Sequence, residues 1–198
     1  MTKLILISGK ARHGKDSVAK IIKTQLEADG KRVLIARFAD LVKYVCKTFL
    51  DWNGEKDETG RTLLQYVGTD TIRAQDPDYW VRFIGDMIRF FNGRWDYILV
   101  PDARFENEIE YFKNNDNFSD FEVISLRVQR TNFVTDLTPE QMRHPSETAL
   151  DSYEFDYSIS AKKIPELEKK VRKWLKVLTE VSTEAGIEEG IEEGSDEG

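Results

Sequence analysis

Leu4-Ile5-Leu6-Ile7 runs straight into SGKARHGKDS over residues 8–17. An apolar run of strand type thus feeds a G-x-x-x-x-G-K loop at Gly9, Gly14 and Lys15, and a helix-compatible stretch follows (Val18, Ala19, Ile21, Ile22, Leu26). That is the P-loop arrangement. Glycines permit the tight turn that points successive backbone N–H groups at phosphate oxygens. The helix that starts near Lys15 adds its positive dipole end, and Lys15 sets a cation against the outer phosphates. The loop (Gly9, Lys10, Ala11, Arg12, His13, Gly14, Lys15, Asp16, Ser17) is expected to hold a nucleoside triphosphate.

One position departs from the usual loop. Asp16 stands where a magnesium-binding Ser or Thr normally follows the lysine, and the hydroxyl comes one residue later at Ser17. A carboxylate is a good ligand for a hard cation. Mg2+ can therefore be held by Asp16, by Ser17, or by a water shared between them. Lys10 and Arg12 read equally as cations beside the phosphates or as solvated loop charges, and His13 as a polar loop residue.

The chain has 198 residues, 40% of them hydrophobic, enough to bury one good core. Cys46 is the only cysteine, so neither a disulfide framework nor a cysteine metal site is expected, and a cytoplasmic setting fits. No apolar run approaches the roughly 18 residues of a membrane span, and neither a membrane span nor a signal peptide is expected. The formal charge of −7 belongs wholly to residues 183–198, TEAGIEEGIEEGSDEG, which hold seven acids and no base. Residues 1–182 are formally neutral and form the expected domain. The Gly- and Glu-rich remainder reads as an acidic disordered tail. A neutral core without a Lys/Arg stripe argues against nucleic acid as the main partner.

Outward from the loop, the pattern alternates. Strand 3–8 and helix 15–29 precede a second strand at 32–38, helical spacing at 39–50 and 61–75, and a polar loop at 51–60. A helix over 78–92 follows, then the buried-type run Tyr97-Ile98-Leu99-Val100, ending at Pro101-Asp102. A helix at 106–114, a strand at 121–128, an irregular stretch at 131–152 with one helical turn near 139–142, a strand at 157–160 and a helix at 164–180 complete it. This predicts an α/β fold: a P-loop NTPase-type parallel sheet with helices on both faces, and ligands at the carboxyl ends of the strands.

Two further groups stand at such ends. Asp102 follows the strand at 97–100, where an acid in P-loop enzymes faces magnesium or its waters, and Arg104 beside it can grip a phosphate through its planar fork. The plainer alternative is a helix N-cap at Asp102 or Ala103 with a surface arginine. Arg127 and Arg130 leave the strand at 121–128, and the loop beyond holds His144, Ser146 and Glu147. Arginines on a loop opposite a P-loop can close over a triphosphate and neutralise the transferred group, or simply be solvated. His13 and His144 lie in unrelated loops and make no metal pair.

GKARHGKDS, RFADLVKYV, LLQYVGTDTIRAQDPDYW, PDARFENEIE and HPSETALD occur in this order in proteins similar to the phage-type deoxynucleoside monophosphate kinases. That family shares a GKD-type P-loop and an S-E-x-x-L-D segment with the animal-type phosphomevalonate kinases. The resemblance covers roughly residues 3–175. It implies a cytoplasmic kinase with a core, an acceptor-binding region and a lid (about 131–152), which moves the γ-phosphoryl of ATP, with Mg2+, onto a nucleoside 5′-monophosphate. Carried over, Lys15 and the loop backbone serve ATP. Asp40, Lys43, Arg73, Trp80 and Arg104 face the acceptor, and Arg127 or Arg130 with Ser146 and Glu147 belong to the lid side. Pro145 and the proline-free segment after Asp40 depart from the family pattern.

The residues themselves agree with this outline. Phosphoryl transfer to an anionic phosphate needs in-line positioning, charge neutralisation and exclusion of water, but no general base. Lys15, Arg127, Arg130 and Asp102 are the expected catalytic set, with Asp16, Ser17 and Asp102 toward the metal. A P-loop kinase for another phosphorylated small molecule such as phosphomevalonate, and a nucleotide-binding switch without transfer, are the alternatives. Trp80, Tyr79 and Phe38 favour a planar base, which needs a stacking surface. The sequence leaves oligomeric state open, a homodimer included.

Overall fold

The computed structural model describes residues 1–192, with side-chain surroundings through 180. Strand β1 (Thr2–Ser8) is buried from its second residue on, as an uninterrupted apolar run requires when both faces of a sheet are covered. It pairs in parallel with β3 (Tyr97–Ala103) on one side and β4 (Phe121–Arg130) on the other. β2 (Val33–Ile35) adds to β3 and β5 (Tyr157–Ala161) to β4, so the order is β2-β3-β1-β4-β5 with every pairing parallel. The helices are α1 (Lys15–Ala28), α2 (Phe38–Phe49), α3 (Glu58–Gln65), α4 (Tyr79–Phe90), α5 (Glu106–Lys113), α6 (Pro139–Arg143), α7 (Pro145–Thr148) and α8 (Ile164–Glu192).

Alternation along β1 divides two cores. Leu4 and Leu6 pack with Val42, Trp80, Ile84 and Phe112 from α2, α4 and α5. Ile5 and Ile7 pack with Val18 and Ile22 of α1 and Val171 and Leu175 of α8. Side chains of successive strand residues leave opposite faces, so one continuous apolar strand serves both layers. The predicted doubly covered parallel sheet is the observed one.

The local differences have identifiable causes. β2 is shorter than the run 32–38, because α2 already begins at Phe38, entered through an extended Arg37 (φ −140°, ψ 131°). The stretch read as a loop at 51–60 ends in a helix start: Asp57 Oδ1 accepts from the Gly60 N–H at 2.7 Å, capping α3. After α3 the backbone widens into a π-helical segment, Tyr66–Arg73, whose Gly68 carbonyl accepts from Trp80 Nε1 at 2.9 Å. β3 continues through Pro101 and Asp102 to Ala103, so Asp102 lies inside the strand rather than beyond it. Residues 131–152 contain two short helices where one turn was read. α8 extends to Glu192, past the boundary drawn at 182 from composition, and residues 193–198 of the acidic tail lie outside the described residues. Among the described residues, no helix is long and apolar enough to cross a membrane.

Candidate active site

The loop after β1 needs its glycines. Gly9 sits at φ +155°, and a Cβ there would lie 2.3 Å from the Val128 carbonyl oxygen. Gly14 (φ +99°) and Arg12 (φ +60°) are also left-handed, the kind of curled backbone that can turn loop amides toward an anion. Lys15, 7% exposed, opens α1, and its Nζ donates to the carbonyls of Gly9 (2.6 Å) and Lys10 (2.9 Å). Burial, and then repulsion from Arg104, hold its pKa well below the ordinary lysine value. A phosphate at this point would supply the counter-charge that the ammonium lacks.

Beside the loop lies a cavity of about 590 Å³. Eight cations line it (Arg12, Lys15, Arg37, Lys43, Lys56, Arg61, Arg73, Arg104) against four acids (Asp16, Asp102, Glu108, Glu147). That excess suits ligands carrying several phosphate charges. Apolar surface from Phe38 and Val42 of α2, Leu64 of α3, Trp80 of α4 and Phe105 just ahead of α5 forms the wall on one side.

Arg73 is buried there. Its guanidinium lies 3.8 Å from the centre of the Phe105 ring, pairs with Glu108, and donates to Asn107 Oδ1 at 2.7 Å. Glu108 also accepts from the amides of Arg104 (2.6 Å) and Phe105 (3.1 Å). Burial pushes its pKa up to about 7 against the pull of Arg73. Arg104 reaches back across the cleft: its Nη1 donates to Glu147 Oε1 at 2.8 Å and to the Ser146 carbonyl at 3.2 Å. Glu147 Oε2 accepts from the Ala11 N–H of the P-loop at 2.8 Å. Ser146 Oγ accepts from Gln65 Nε2 at 3.4 Å and lies 2.9 Å from His144 Nδ1.

Asp102 is half-buried and holds α2. Its oxygens accept from the amides of Phe38 (3.2 Å) and Ala39 (2.9 Å). Burial raises its pKa, and these two bonds oppose the rise. It caps a helix as the plainer alternative required, but the helix is the one after β2, not the one that follows Asp102 in the chain.

Other expected residues stand apart from the cavity. Asp40 is exposed and holds Lys43, a lining residue, at 2.6 Å. Arg127 packs on the opposite side of the loop, donating to Ser8 Oγ (3.2 Å) and Asp151 Oδ1 (3.1 Å) and lining a smaller hollow with Lys10 and His13. Lys10 Nζ joins it at Asp151 Oδ2, 2.7 Å away. Arg130 covers the Phe133 ring at 4.5 Å, and its amide donates to His13 Nδ1 at 3.3 Å. Burial and the charges of Lys15 and Arg127 lower the His13 pKa. Arg37, Lys56, Arg61, Glu108 and Gln141 line the cavity without having been singled out. Only Glu108 had a local signal: an acid four residues after Arg104 at the start of a helix pattern.

Hard-cation donors are present at the mouth. Asp16 is exposed at the first turn of α1, lines the cavity, and offers Oδ1 to Arg37 Nη2 at 3.0 Å. A single carboxylate of this kind fits magnesium, which takes one or two carboxylates and completes its shell with water and phosphate; Ser17, the other expected donor, is not among the residues that line the cavity. Among the described residues there is no cluster of three or more His, Cys, Asp or Glu that would cage a metal without such help.

No family model matches the chain. It is 31% identical over 136 residues to a phosphomevalonate kinase of Drosophila melanogaster, an alignment covering 65% of this chain and 68% of that protein. Among solved structures it resembles the APS kinase of Mycobacterium tuberculosis in complex with AMPPNP and APS (TM-score 0.51, 9% identity, 90% of this chain and 98% of that one). The shikimate kinase of Bacteroides thetaiotaomicron superposes equally well (TM-score 0.51, 11% identity, 89% and 98%). At such identities these likenesses show the fold.

Proposed function

This chain belongs to the phosphomevalonate kinase family of P-loop kinases, and we propose that it phosphorylates a nucleoside 5′-monophosphate, deoxyribose forms included, at the expense of ATP. The transfer of a phosphoryl group to a small molecule is common ground for the family. The nature of the acceptor is our reading. It is carried by the aromatic side of the cavity, where Phe105 and the largely buried Phe38 and Trp80 adjoin Arg73 and Arg104. A planar base needs apolar ring surface, and its 5′-phosphate needs a bidentate cation.

In this reading the amides of the Gly9–Gly14 loop and the Lys15 ammonium hold the outer phosphates of ATP. Asp16 and Ser17 would hold magnesium, with Asp102 behind them, and the metal would neutralise charge on the phosphate oxygens. Arg104 grips the acceptor phosphate and keeps it facing the P-loop. Arg73, seated on Phe105 and fixed by Glu108, keeps that wall rigid. Arg127 and Arg130 belong to the donor side, beside His13. Because the attacking oxygen is already anionic, alignment and charge neutralisation suffice.

The fly relative supports a second reading, in which the acceptor is phosphomevalonate or a similar phosphorylated acid. Such a molecule has no ring to stack but carries a carboxylate, for which Lys43, Lys56 or Arg61 would serve. One experiment separates the two: ADP release coupled to a spectrophotometric readout, with dNMPs, NMPs and phosphomevalonate as acceptors. Turnover with a dNMP and none with phosphomevalonate supports our reading. The reverse result replaces it with the second.

A further inference from the structure

One carboxylate touches both halves of the cleft. Glu147, with a side chain only 7% exposed, accepts from the P-loop amide of Ala11 through Oε2 and from Arg104 through Oε1, each at 2.8 Å. An amide of the donor loop and a guanidinium of the acceptor wall thus converge on a single compact oxyanion. Lys15 is likewise occupied from within, by the carbonyls of Gly9 and Lys10. Asp136 repeats the pattern at the rim, bridging Arg12 of the loop (2.7 Å) to Arg61 of α3 (3.4 Å).

A backbone N–H and an arginine fork are the donors that bind phosphoryl oxygens most readily. A phosphoryl group at the junction of donor and acceptor would meet both, and would find a carboxylate already there. The two anions repel at contact distance, more strongly where water is scarce. We propose that Glu147 is an internal stand-in for phosphate: it holds Ala11 and Arg104 while the cleft is empty and must yield both for transfer. This rests on the donor and acceptor halves as read above.

A thermodynamic consequence follows from one side chain guarding two sites. Whichever substrate enters first displaces Glu147 and frees the donor that the other substrate needs. Donor and acceptor therefore strengthen each other's binding, by the same factor in either order. The displaced carboxylate sits on α7, a helix of four residues entered through an extended His144 (φ −61°, ψ 141°), so a small swing of this segment suffices.

Calorimetric titration of AMPPNP with magnesium, with and without a dNMP, tests this on the full chain and on Glu147→Gln. The variant is expected to bind AMPPNP several-fold more tightly by itself, since its amide carries no charge. The wild type is expected to show about 5–150-fold coupling between the two ligands, the usual range for linked sites, shrinking toward one in the variant. Weaker AMPPNP binding by the variant, or undiminished coupling, overturns the proposal. Should Glu147→Gln fail to fold, Glu147→Asp, one methylene too short to span both donors, is read by the same criteria. The AMPPNP titration without acceptor does not depend on which acceptor is used. A wild type that binds AMPPNP but no monophosphate overturns the acceptor reading and leaves the gate to be decided by that arm.

Discussion

Asp102 holds the amide of Ala39 at 2.9 Å, and with it the entire N-terminus of α2. The acid at the tip of β3 thereby fastens the helix that carries Phe38, Val42 and Lys43 into the cavity wall. Its two acceptor bonds replace the partners that the first amides of a helix otherwise lack.

Replacing Asp102 with Ala leaves those half-buried amides without their side-chain acceptor. A loss of about 1–3 kcal/mol is the ordinary cost of such orphaned donors. Thermal unfolding should shift down by several degrees, and added magnesium should not restore activity. Recovery of wild-type turnover at high magnesium would instead mark Asp102 chiefly as a metal ligand.

Lys15→Ala should keep the fold and abolish turnover, because the outer phosphates lose their point charge in a buried site. A fall of ~10²-fold or more is typical for removing one preorganised charge. Circular dichroism and the coupled assay check both halves; near-normal turnover would end the P-loop assignment.

Arg104→Lys should raise the KM for the monophosphate well above any change in that for ATP, since an ammonium cannot reproduce the fork. Steady-state kinetics with each substrate varied in turn decide it. Loss of ATP affinity alone would move Arg104 to the donor side.

Glu108 has a pKa of about 7 in the folded chain against an ordinary 4.5, the first cause being burial. Between those values the folded protein retains a proton that the unfolded chain has released. Through this group, stability is greatest below about pH 4.5 and declines as pH rises through about 7. Glu108→Gln cannot titrate, so the difference in melting temperature between variant and wild type should change across that window. A pH-independent difference contradicts the assignment.

Gly9→Ala should not yield a working loop. The added methyl carbon would meet the Val128 carbonyl oxygen at 2.3 Å, so the loop or β4 must shift. Nucleotide binding measured by calorimetry should be lost even where folded protein is recovered; unimpaired binding would show that the loop tolerates the displacement.

The features legible in the chain alone are those governed by near neighbours. The apolar run 4–7, the glycines at 9 and 14 and Lys15 lie within a dozen residues, and left-handed backbone and strand-to-helix periodicity are properties of the chain at that range. The parallel sheet followed, because alternating strands and helices admit few other arrangements. Side-chain partnership was legible only in the folded chain. Nothing local to Asp102 says that its oxygens serve Phe38 and Ala39. Nothing local to Arg127 says that it turns to Ser8 and Asp151 and away from the main cavity. Glu147 meets Ala11 across 136 positions. Such pairs are set by how strands β1, β3 and β4 register side by side and where their following loops return. The loop's chemistry is therefore written locally, while the choice of which charges face the substrates belongs to tertiary packing.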